Sequence, residues 1–364
     1  MLALLTAVLI LAPPPRPEYG LLVGTSNRSA FDMGGRQQFT TYWIRIGKDV
    51  TLAATLTDLV LPRNDHEFLR IAMRRECELS ADGGDHDECR DTLWTAPFAS
   101  SDSGPHHSFP ANTSPDDPCC YEKLVVKYAT QGLLSMERWI GDSVDCDPLG
   151  RTSVEAFVRQ VASARELSVG EVVGPKGTSA YVAAAQRARD VSSDDTPEES
   201  DVVLPETDVV AQNLYASLCR ADRQATTRWE ISRRNGAWRP ALYQKLGCQC
   251  ELWAPIKAHL PRRLTGADSL PVPLEQLQKD SLPDDVFASP DGRVMLADYN
   301  SSLQIRPYEA GALGDALLTL PEGRVVMLRW ATGAQIRRWD LVLRQMARVR
   351  EKGRRTPVRP PTVK

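Results

Sequence analysis

Alternating apolar and polar residues predict strands and turns in several parts of the chain. The alternation is regular over Lys123–Ala129, which predicts a half-buried strand. Two strand-like runs that begin at Trp229 and Trp238 are separated by Asn235-Gly236, and this pattern predicts a β-hairpin with a tight turn. Further strands separated by turns are expected in the C-terminal part, over Arg293–Ala297, Leu303–Tyr308, Ala316–Leu320 and Val325–Trp330.

The segment from Phe287 to Asp340 combines a Ser-Pro-Asp-Gly turn, a run of strands and a terminal Trp-Asp pair. A β-propeller blade has the same order of features. A propeller needs at least about four blades to close, however, and the sequence contains one. We therefore predict an ordinary antiparallel meander for this segment.

Two segments 113 residues apart share a pattern that indicates an internal duplication. When Pro62 is aligned with Pro175, each copy has a short apolar run that ends at the proline. Polar residues that can cap a helix follow in both copies, and a strand is expected ahead of each, over Thr41–Ile46 and Val154–Val161. Apolar residues three and four apart then predict a helix in each copy, with Phe68, Ile71 and Ala72 in the first and Tyr181, Ala184 and Ala185 in the second.

These patterns predict an α+β fold with mixed or antiparallel sheets, flanking helices, a possible internal duplication and a β-rich C-terminal part. Three segments lack the periodicity of packed structure and are expected to be exposed linkers or loops. The predicted order is an apolar leader or anchor (1–17), a first α+β unit (18–96), a linker (97–118), a second α+β unit (119–190), an acidic linker (191–208), a Trp-rich and β-rich part (209–343) and a basic, Pro-rich tail (344–364).

Residues Leu2–Ala12 form an uncharged apolar run that is followed at once by three prolines. The run is too short to span a bilayer, which needs about 20 residues, but it matches the apolar part of a signal peptide. We therefore expect an exported protein, secreted or held in the periplasm or cell envelope, with membrane contact only through this segment if it is not cleaved. A net charge of −3 provides no basic surface, so nucleic acid is not an expected partner.

The chain has eight cysteines, an even number that suits full pairing in an oxidising compartment. No pair has the spacing of a zinc ribbon or finger, so disulfides are favoured over a metal site. The connectivity stays open, although Cys77 and Cys89 flank a turn-rich segment and could close a local loop. The predicted disulfide cysteines are Cys77, Cys89, Cys119, Cys120, Cys146, Cys219, Cys248 and Cys250.

Candidate chemistry is sparse, and no cofactor motif is found. The candidate ligand-binding aromatic residues are Trp229, Trp238 and Trp253, although a role in the core is favoured for them. Closely spaced carboxylates can bind calcium, which makes one acidic loop a weak candidate metal site, although a solvated loop is the favoured interpretation. The residues of that loop are Asp142, Asp145 and Asp147.

Several short motifs in the chain are typical of a known family. They include Leu56-Thr-Asp-Leu-Val60 and the stretch from Gly132-Leu-Leu-Ser-Met136 to Tyr181-Val-Ala-Ala-Ala185. Near the C-terminus are Leu282-Pro-Asp-Asp285 and the Pro-Tyr-Glu-containing run Ile305–Gly311. Together these motifs resemble the exported domain of unknown function of RsiV-type anti-sigma factors and of some polysaccharide deacetylases. The turn after the Ser-containing strand departs from the family. The resemblance implies an α+β fold and an envelope or extracellular setting, but it transfers no function.

Together these observations predict a non-catalytic exported protein that binds a protein or glycan ligand. One alternative is a hydrolase of cell-wall or surface polysaccharide, with acids drawn from Glu137, Asp142 and Asp145. The other alternative is a purely structural envelope protein.

Overall fold

The computed structural model describes a strand-rich molecule, and an α+β description fits it loosely because strands greatly outnumber helices. The described residues are 18–27, 36–64, 67–78, 88–97, 107–109, 121–130, 132–141, 153–161, 165–190, 228–234, 236–246, 250–265, 270, 272–274, 277, 283–299, 301–309 and 311–354. No helix among them is long and apolar enough to cross a membrane.

The first sheet has four antiparallel strands in the order β19-β1-β2-β3. Every residue of its central strand β1 is buried. Gly20 in β1 allows a close approach between strands, because a Cβ atom there would lie 2.0 Å from the ring of Trp43. The strands are β1 (Tyr19–Ser26), β2 (Phe39–Ile46), β3 (Val50–Thr57) and β19 (Arg324–Thr332).

The second sheet has ten strands in the order β11-β12-β10-β9-β8-β6-β5-β4, with β13 paired to β12 and β7 paired to β6. It curls on itself, since the Ile231 amide of β11 donates to the Ser135 hydroxyl of β9 at 2.7 Å. Its strands are β4 (Leu59–Pro62), β5 (Phe68–Glu78), β6 (Glu88–Pro97), β7 (His107–Phe109), β8 (Tyr121–Thr130), β9 (Leu133–Gly141), β10 (Ser153–Gln160), β11 (Arg228–Arg234), β12 (Ala237–Leu246) and β13 (Cys250–Pro255).

The third sheet is the predicted antiparallel meander. Gly292 and Gly311 adopt positive φ angles of 71° and 87° at its turns, a conformation that favours glycine. Trp339 and Asp340 lie outside this sheet, in the C-terminal helix, so they are not the end of a propeller blade. The strands are β14 (Asp285–Ala288), β15 (Val294–Tyr299), β16 (Ser302–Glu309), β17 (Ala312–Leu313) and β18 (Leu318–Pro321).

Four helices complete the described structure: α1 (Val169–Val173), α2 (Pro175–Asp190), α3 (Arg262–Thr265) and α4 (Ala334–Arg354). Ser168 and Glu171 form a capping box at the start of α1. Helix α4 contradicts part of the prediction for the tail, because residues 344–354 are helical and Met346 is buried. Hydrophobic contact with the first sheet explains the difference, since α4 packs on β3 and β19.

The hydrophobic core lies on both faces of the first sheet. On one face, Leu22 and Trp43 pack with residues of the second sheet and with Trp339 of α4. On the other face, Leu21 and Ile44 pack against the meander. The first sheet is therefore the middle layer of the molecule, and strands from the two ends of the chain meet in it.

The two copies of the predicted repeat fold differently. The helix predicted at Phe68, Ile71 and Ala72 is wrong, because these residues lie in strand β5, between β4 and β6. Pairing on both edges of β5 overrides the helix-like spacing of its apolar residues. The helix predicted for the second copy is confirmed as part of α2. The structure therefore gives the duplication no support.

Sheets also run across the predicted unit boundaries. The second sheet combines strands of the two predicted α+β units with the Trp-rich part, and β7 lies within the predicted linker 97–118. The predicted strands at Thr41–Ile46, Lys123–Ala129 and Val325–Trp330 are confirmed. The pairing of β11 with β12 confirms the predicted hairpin, and Asn235 of its turn lies outside the described residues. The acidic segment 191–208 lies outside the described residues.

Candidate functional site

The tryptophans proposed as ligand-binding residues are core residues where the structure describes them. Trp229 is buried, and its indole N–H donates to the Leu167 carbonyl at 2.9 Å. Trp238 is also buried, with its ring 4.3 Å from that of Tyr128. Burial excludes both rings from contact with a surface ligand, so their predicted binding role is corrected to a packing role. Trp253 lies in β13, and its side chain is outside the described part.

Glu137 is the one candidate acid among the described residues, and it is buried. Glu137 is 1% exposed, and its Oε1 is 2.8 Å from Lys127 Nζ. The indole N–H of Trp139 donates to the second carboxylate oxygen at 3.2 Å. Glu137 therefore forms an ion pair with Lys127 in the interior, where a ligand on the surface does not reach it. The other two candidate acids, Asp142 and Asp145, fall outside the described residues, as does the third residue of the weak metal candidate, Asp147.

Three of the eight cysteines lie in described strands. The β5–β6 register places Cys77 directly opposite Cys89. Directly opposite residues of antiparallel strands have Cα atoms about 4.5–5.5 Å apart, which is within the range that a disulfide spans. Cys250 begins β13. The remaining five are outside the described residues: Cys119, Cys120, Cys146, Cys219 and Cys248.

An open cleft of about 650 Å³ lies between the first sheet and the meander. One wall is the end of the β2–β3 hairpin, residues 46–50, together with Tyr19 at the start of β1. The other wall comes from the meander, with residues 291, 293 and 294 before and in β15, residues 307–309 at the end of β16, and Leu317 before β18. A cavity of this size accommodates a small ligand or one segment of a larger one. We define this cleft as the candidate site.

The floor of the cleft is an ordered network around Asp291. The Ser289 hydroxyl donates to Asp291 Oδ1 at 2.7 Å, and the Arg293 amide donates to the same oxygen at 3.1 Å. The Tyr19 phenol lines the cleft near this carboxylate, and each group shifts the pKa of the other. Tyr19 belongs to the first sheet and Asp291 to the meander turn, so the two cleft walls come close to each other here.

The pKa values of this network follow from burial and from these bonds. Burial, together with the hydrogen bond to Asp291 and its negative charge, raises the pKa of Tyr19 to about 12. Burial alone would raise the pKa of Asp291, but the bonds from Ser289, the Arg293 amide and Tyr19 outweigh it and hold that pKa below its usual value. At neutral pH the cleft therefore contains an ionised Asp291 carboxylate and a protonated Tyr19 phenol.

Charged side chains of both signs surround this floor. Lys48 and Asp49 project from the β2–β3 turn, and Arg293 and Glu309 lie on the meander side. Arg293 is 69% exposed and lies 3.9 Å from Asp291, so most of its hydrogen-bonding capacity faces solvent. These charged side chains can donate hydrogen bonds to a polar ligand and accept them from it at several points. Apolar residues such as Pro307 line the wall of the cleft.

A second, smaller depression of about 240 Å³ lies beside the cleft. It includes Glu18, Arg45 and Thr51, and it shares Tyr19 and residues 46–49 with the cleft. Arg45 and Glu18 form an ion pair of 3.8 Å there. The β2–β3 turn is therefore a ridge with a depression on either side, and the shared residues make the two depressions continuous.

The sequence did not identify this cleft, because its walls come from chain segments that are far apart in sequence. One local signal is present in the Ser289-Pro-Asp-Gly292 turn, but its sequence predicts only a turn of the meander and no site. Asp291 stabilises this turn because its carboxylate accepts hydrogen bonds from the Ser289 hydroxyl and the Arg293 amide. The partner Tyr19, at the other end of the chain, had no recognisable signal.

Comparison with known proteins gives no match: no protein-family model, no curated protein and no solved structure is similar to the chain. The resemblance to the domain of RsiV-type anti-sigma factors stays a prediction.

Proposed function

We propose that the chain is an exported, non-catalytic binding protein of the cell envelope or extracellular space, and that its protein or glycan ligand is held in the cleft. The observation that carries this proposal is the cleft itself, with about 650 Å³ of open space beside a charged rim. Sites of this kind combine apolar walls with a few fixed polar groups that orient the ligand. The Asp291 carboxylate, held by the Ser289 hydroxyl and the Arg293 amide, is such a fixed group.

The extracellular setting draws on the apolar run at Leu2–Ala12 and on the cysteines. The opposite positions of Cys77 and Cys89 in adjacent strands support a disulfide between them. A bridge at this point would join β5 and β6 close to the ends of both strands. Thiol alkylation of the unreduced protein, followed by peptide mass mapping, tests this part separately. Free thiols at both positions would contradict it.

The proposal that the ligand binds in the cleft is tested by reversing the charge of one side chain on each cleft wall. The double variant Lys48→Glu/Arg293→Glu changes one exposed cation on each wall, and it leaves Tyr19 and Asp291 intact. The matched control Arg337→Glu/Arg348→Glu makes the same change in net charge on exposed positions of α4. Both variants and the wild type are titrated with a panel of soluble cell-wall oligosaccharides and with a random peptide library.

We expect at least one member of the panel to bind the wild type and the control equally. The cleft variant should bind it at least about tenfold more weakly, which corresponds to about 1.4 kcal/mol. Equal binding by both variants would place the ligand elsewhere on the molecule and refute the assignment of the cleft.

A hydrolase of surface polysaccharide is the second candidate, favoured by one observation. Three carboxylates line the same cleft: Asp49, Asp291 and Glu309. Glycosidases use two carboxyl groups on either side of the bond that they cleave. Incubating the same oligosaccharides with the protein and measuring new reducing ends separates the two functions. Release of reducing ends that stops in Glu309→Gln and Asp49→Asn would favour the hydrolase.

A further inference from the structure

Strand β3 forms one edge of the first sheet. It pairs with β2 along one side, and no strand in the described part of the chain pairs with its other side. An edge strand of this kind presents backbone N–H and C=O groups at the spacing of a β-ladder. The backbone of another extended polypeptide has N–H and C=O groups at the same spacing and can hydrogen-bond to this edge.

The sequence of β3 contains few of the features that keep edge strands from pairing. Residues Val50–Thr57 include neither a charged residue nor a proline, and they are mainly threonine, leucine and alanine. One protective feature is present, a bulge at Ala53, because Ile44 pairs with Leu52 while Trp43 pairs with Ala54. The bulge leaves the segment Val50–Leu52 as a regular edge.

Exposed apolar side chains lie beside this segment. Leu52 is 43% exposed, and Leu317 is 50% exposed. Strand β18, which begins directly after Leu317, contacts β3. Val50 and Leu317 also line the cleft, so the edge of β3 and the cleft form one continuous surface.

We propose that the ligand of the cleft is an extended polypeptide segment of another protein, which adds as a strand to the edge at Val50–Leu52. Its backbone pairs with β3, an apolar side chain covers Leu52 and Leu317, and its polar side chains reach the charged rim at Lys48 and Arg293. This inference rests on the proposed function and narrows its ligand to a peptide. A glycan offers no regular row of N–H and C=O groups to match the edge.

The test uses a random dodecapeptide phage library selected on the full-length protein. A peptide with the selected sequence is then titrated calorimetrically into the wild type and into Leu52→Lys and Leu317→Lys. The matched control is Leu341→Lys, because Leu341 is 69% exposed on α4. All three changes place a charge at an exposed leucine, so folding is preserved in each.

We expect the selected peptides to alternate apolar and polar residues. Binding should weaken at least about tenfold in Leu52→Lys and Leu317→Lys, and it should change by less than about twofold in Leu341→Lys. N-methylation of the peptide amides that face β3 should abolish binding, while N-methylation of the alternate amides should have little effect, because only the first set pairs with the edge.

Three outcomes would overturn the inference: no peptide selected, equal affinity in all three variants, or no difference between the two sets of N-methylated peptides. If a cell-wall oligosaccharide binds and is sensitive to Lys48→Glu/Arg293→Glu while no peptide binds, the peptide inference fails and the proposed function stands. If neither the peptide nor the oligosaccharide binds Lys48→Glu/Arg293→Glu more weakly than the wild type, both the peptide inference and the proposed function fail.

Discussion

Gln37 is a buried glutamine whose side-chain amide hydrogen-bonds to the backbone N–H and C=O of Val126 in β8, as a neighbouring strand would. Its Nε2 donates to the Val126 carbonyl at 2.9 Å, and its Oε1 accepts from the Val126 amide at 2.7 Å. Nε2 also donates to the Ser26 hydroxyl at 2.9 Å. Gln37 is 1% exposed, so water cannot replace these partners if the side chain is changed.

The substitution Gln37→Leu keeps the approximate size of the side chain and removes all three bonds. It leaves the N–H and C=O of Val126 buried without the amide that satisfies them. Each unsatisfied group costs about 1–3 kcal/mol, so the free energy of unfolding should fall by roughly 2–6 kcal/mol. The neighbouring Gln38 is exposed and provides the control, because Gln38→Leu should change the free energy by less than about 0.5 kcal/mol.

Urea unfolding followed by tryptophan fluorescence measures both variants against the wild type. Hydrogen exchange adds a local observation, since the Val126 amide should exchange faster in Gln37→Leu than in Gln38→Leu. Equal unfolding midpoints for the two variants would refute the reasoning, as would unchanged protection of Val126. Either result would mean that the amide of Gln37 does not act as a strand partner.

Two further predictions concern a tryptophan pair and a helix cap. Trp43 and Trp339 are both buried, but Trp43 Nε1 donates to Asp340 at 3.0 Å, whereas Trp339 Nε1 has no hydrogen-bond partner among the described residues. Trp43→Phe should therefore lower the free energy of unfolding by about 1.5–3 kcal/mol more than Trp339→Phe in the same urea assay, and equal losses would contradict this. The Ser168 amide, with Arg165 and the Ser168 hydroxyl, lowers the pKa of Glu171 from 4.5 to about 2. Because the pKa is lower in the folded state, its contribution to stability is complete above about pH 4.5 and is lost as the pH falls toward 2. NMR titration of the Glu171 carboxyl should give a midpoint near 2, and a midpoint near 4.5 would show that the cap is absent.

Much of the strand content could be predicted from the sequence, because alternation is a local signal. The predicted strands at Lys123–Ala129 and Val325–Trp330 lie within β8 and β19. Local patterns did not decide between helix and strand at Phe68–Ala72, where the structure has strand β5. The pairing of β5 with β4 and β6 depends on residues elsewhere in the chain, and it outweighs the local spacing.

The candidate site was less predictable than the fold. Residue type alone makes Trp229, Trp238 and Glu137 candidates for a site, but all three side chains are buried. Large aromatic side chains usually serve the core, and burial cannot be inferred from their type alone. The cleft depends on the meeting of Tyr19 with Asp291, from opposite ends of the chain. The pairing of β1 with β19 brings those ends together, and no local pattern indicated it.

The order of the sheets also follows from long-range pairing. The first sheet joins an N-terminal hairpin to a strand close to the C-terminus, and its two faces are covered by different parts of the chain. Composition and turn residues could indicate a β-rich C-terminal part, but not that β19 leaves the meander and pairs with β1. The predicted units are consecutive in sequence because linker segments define their boundaries. The observed sheets instead combine strands that are far apart in sequence.

The central claim is that the cleft beside the β2–β3 turn holds the ligand. Hydrogen–deuterium exchange of the wild type, with and without a bound peptide or oligosaccharide from the screens, tests it most directly. We predict slower exchange at residues 46–52 and 307–309 when the ligand is bound, with little change in α4. Slower exchange confined to other parts of the molecule, with residues 46–52 and 307–309 unchanged, would contradict the claim.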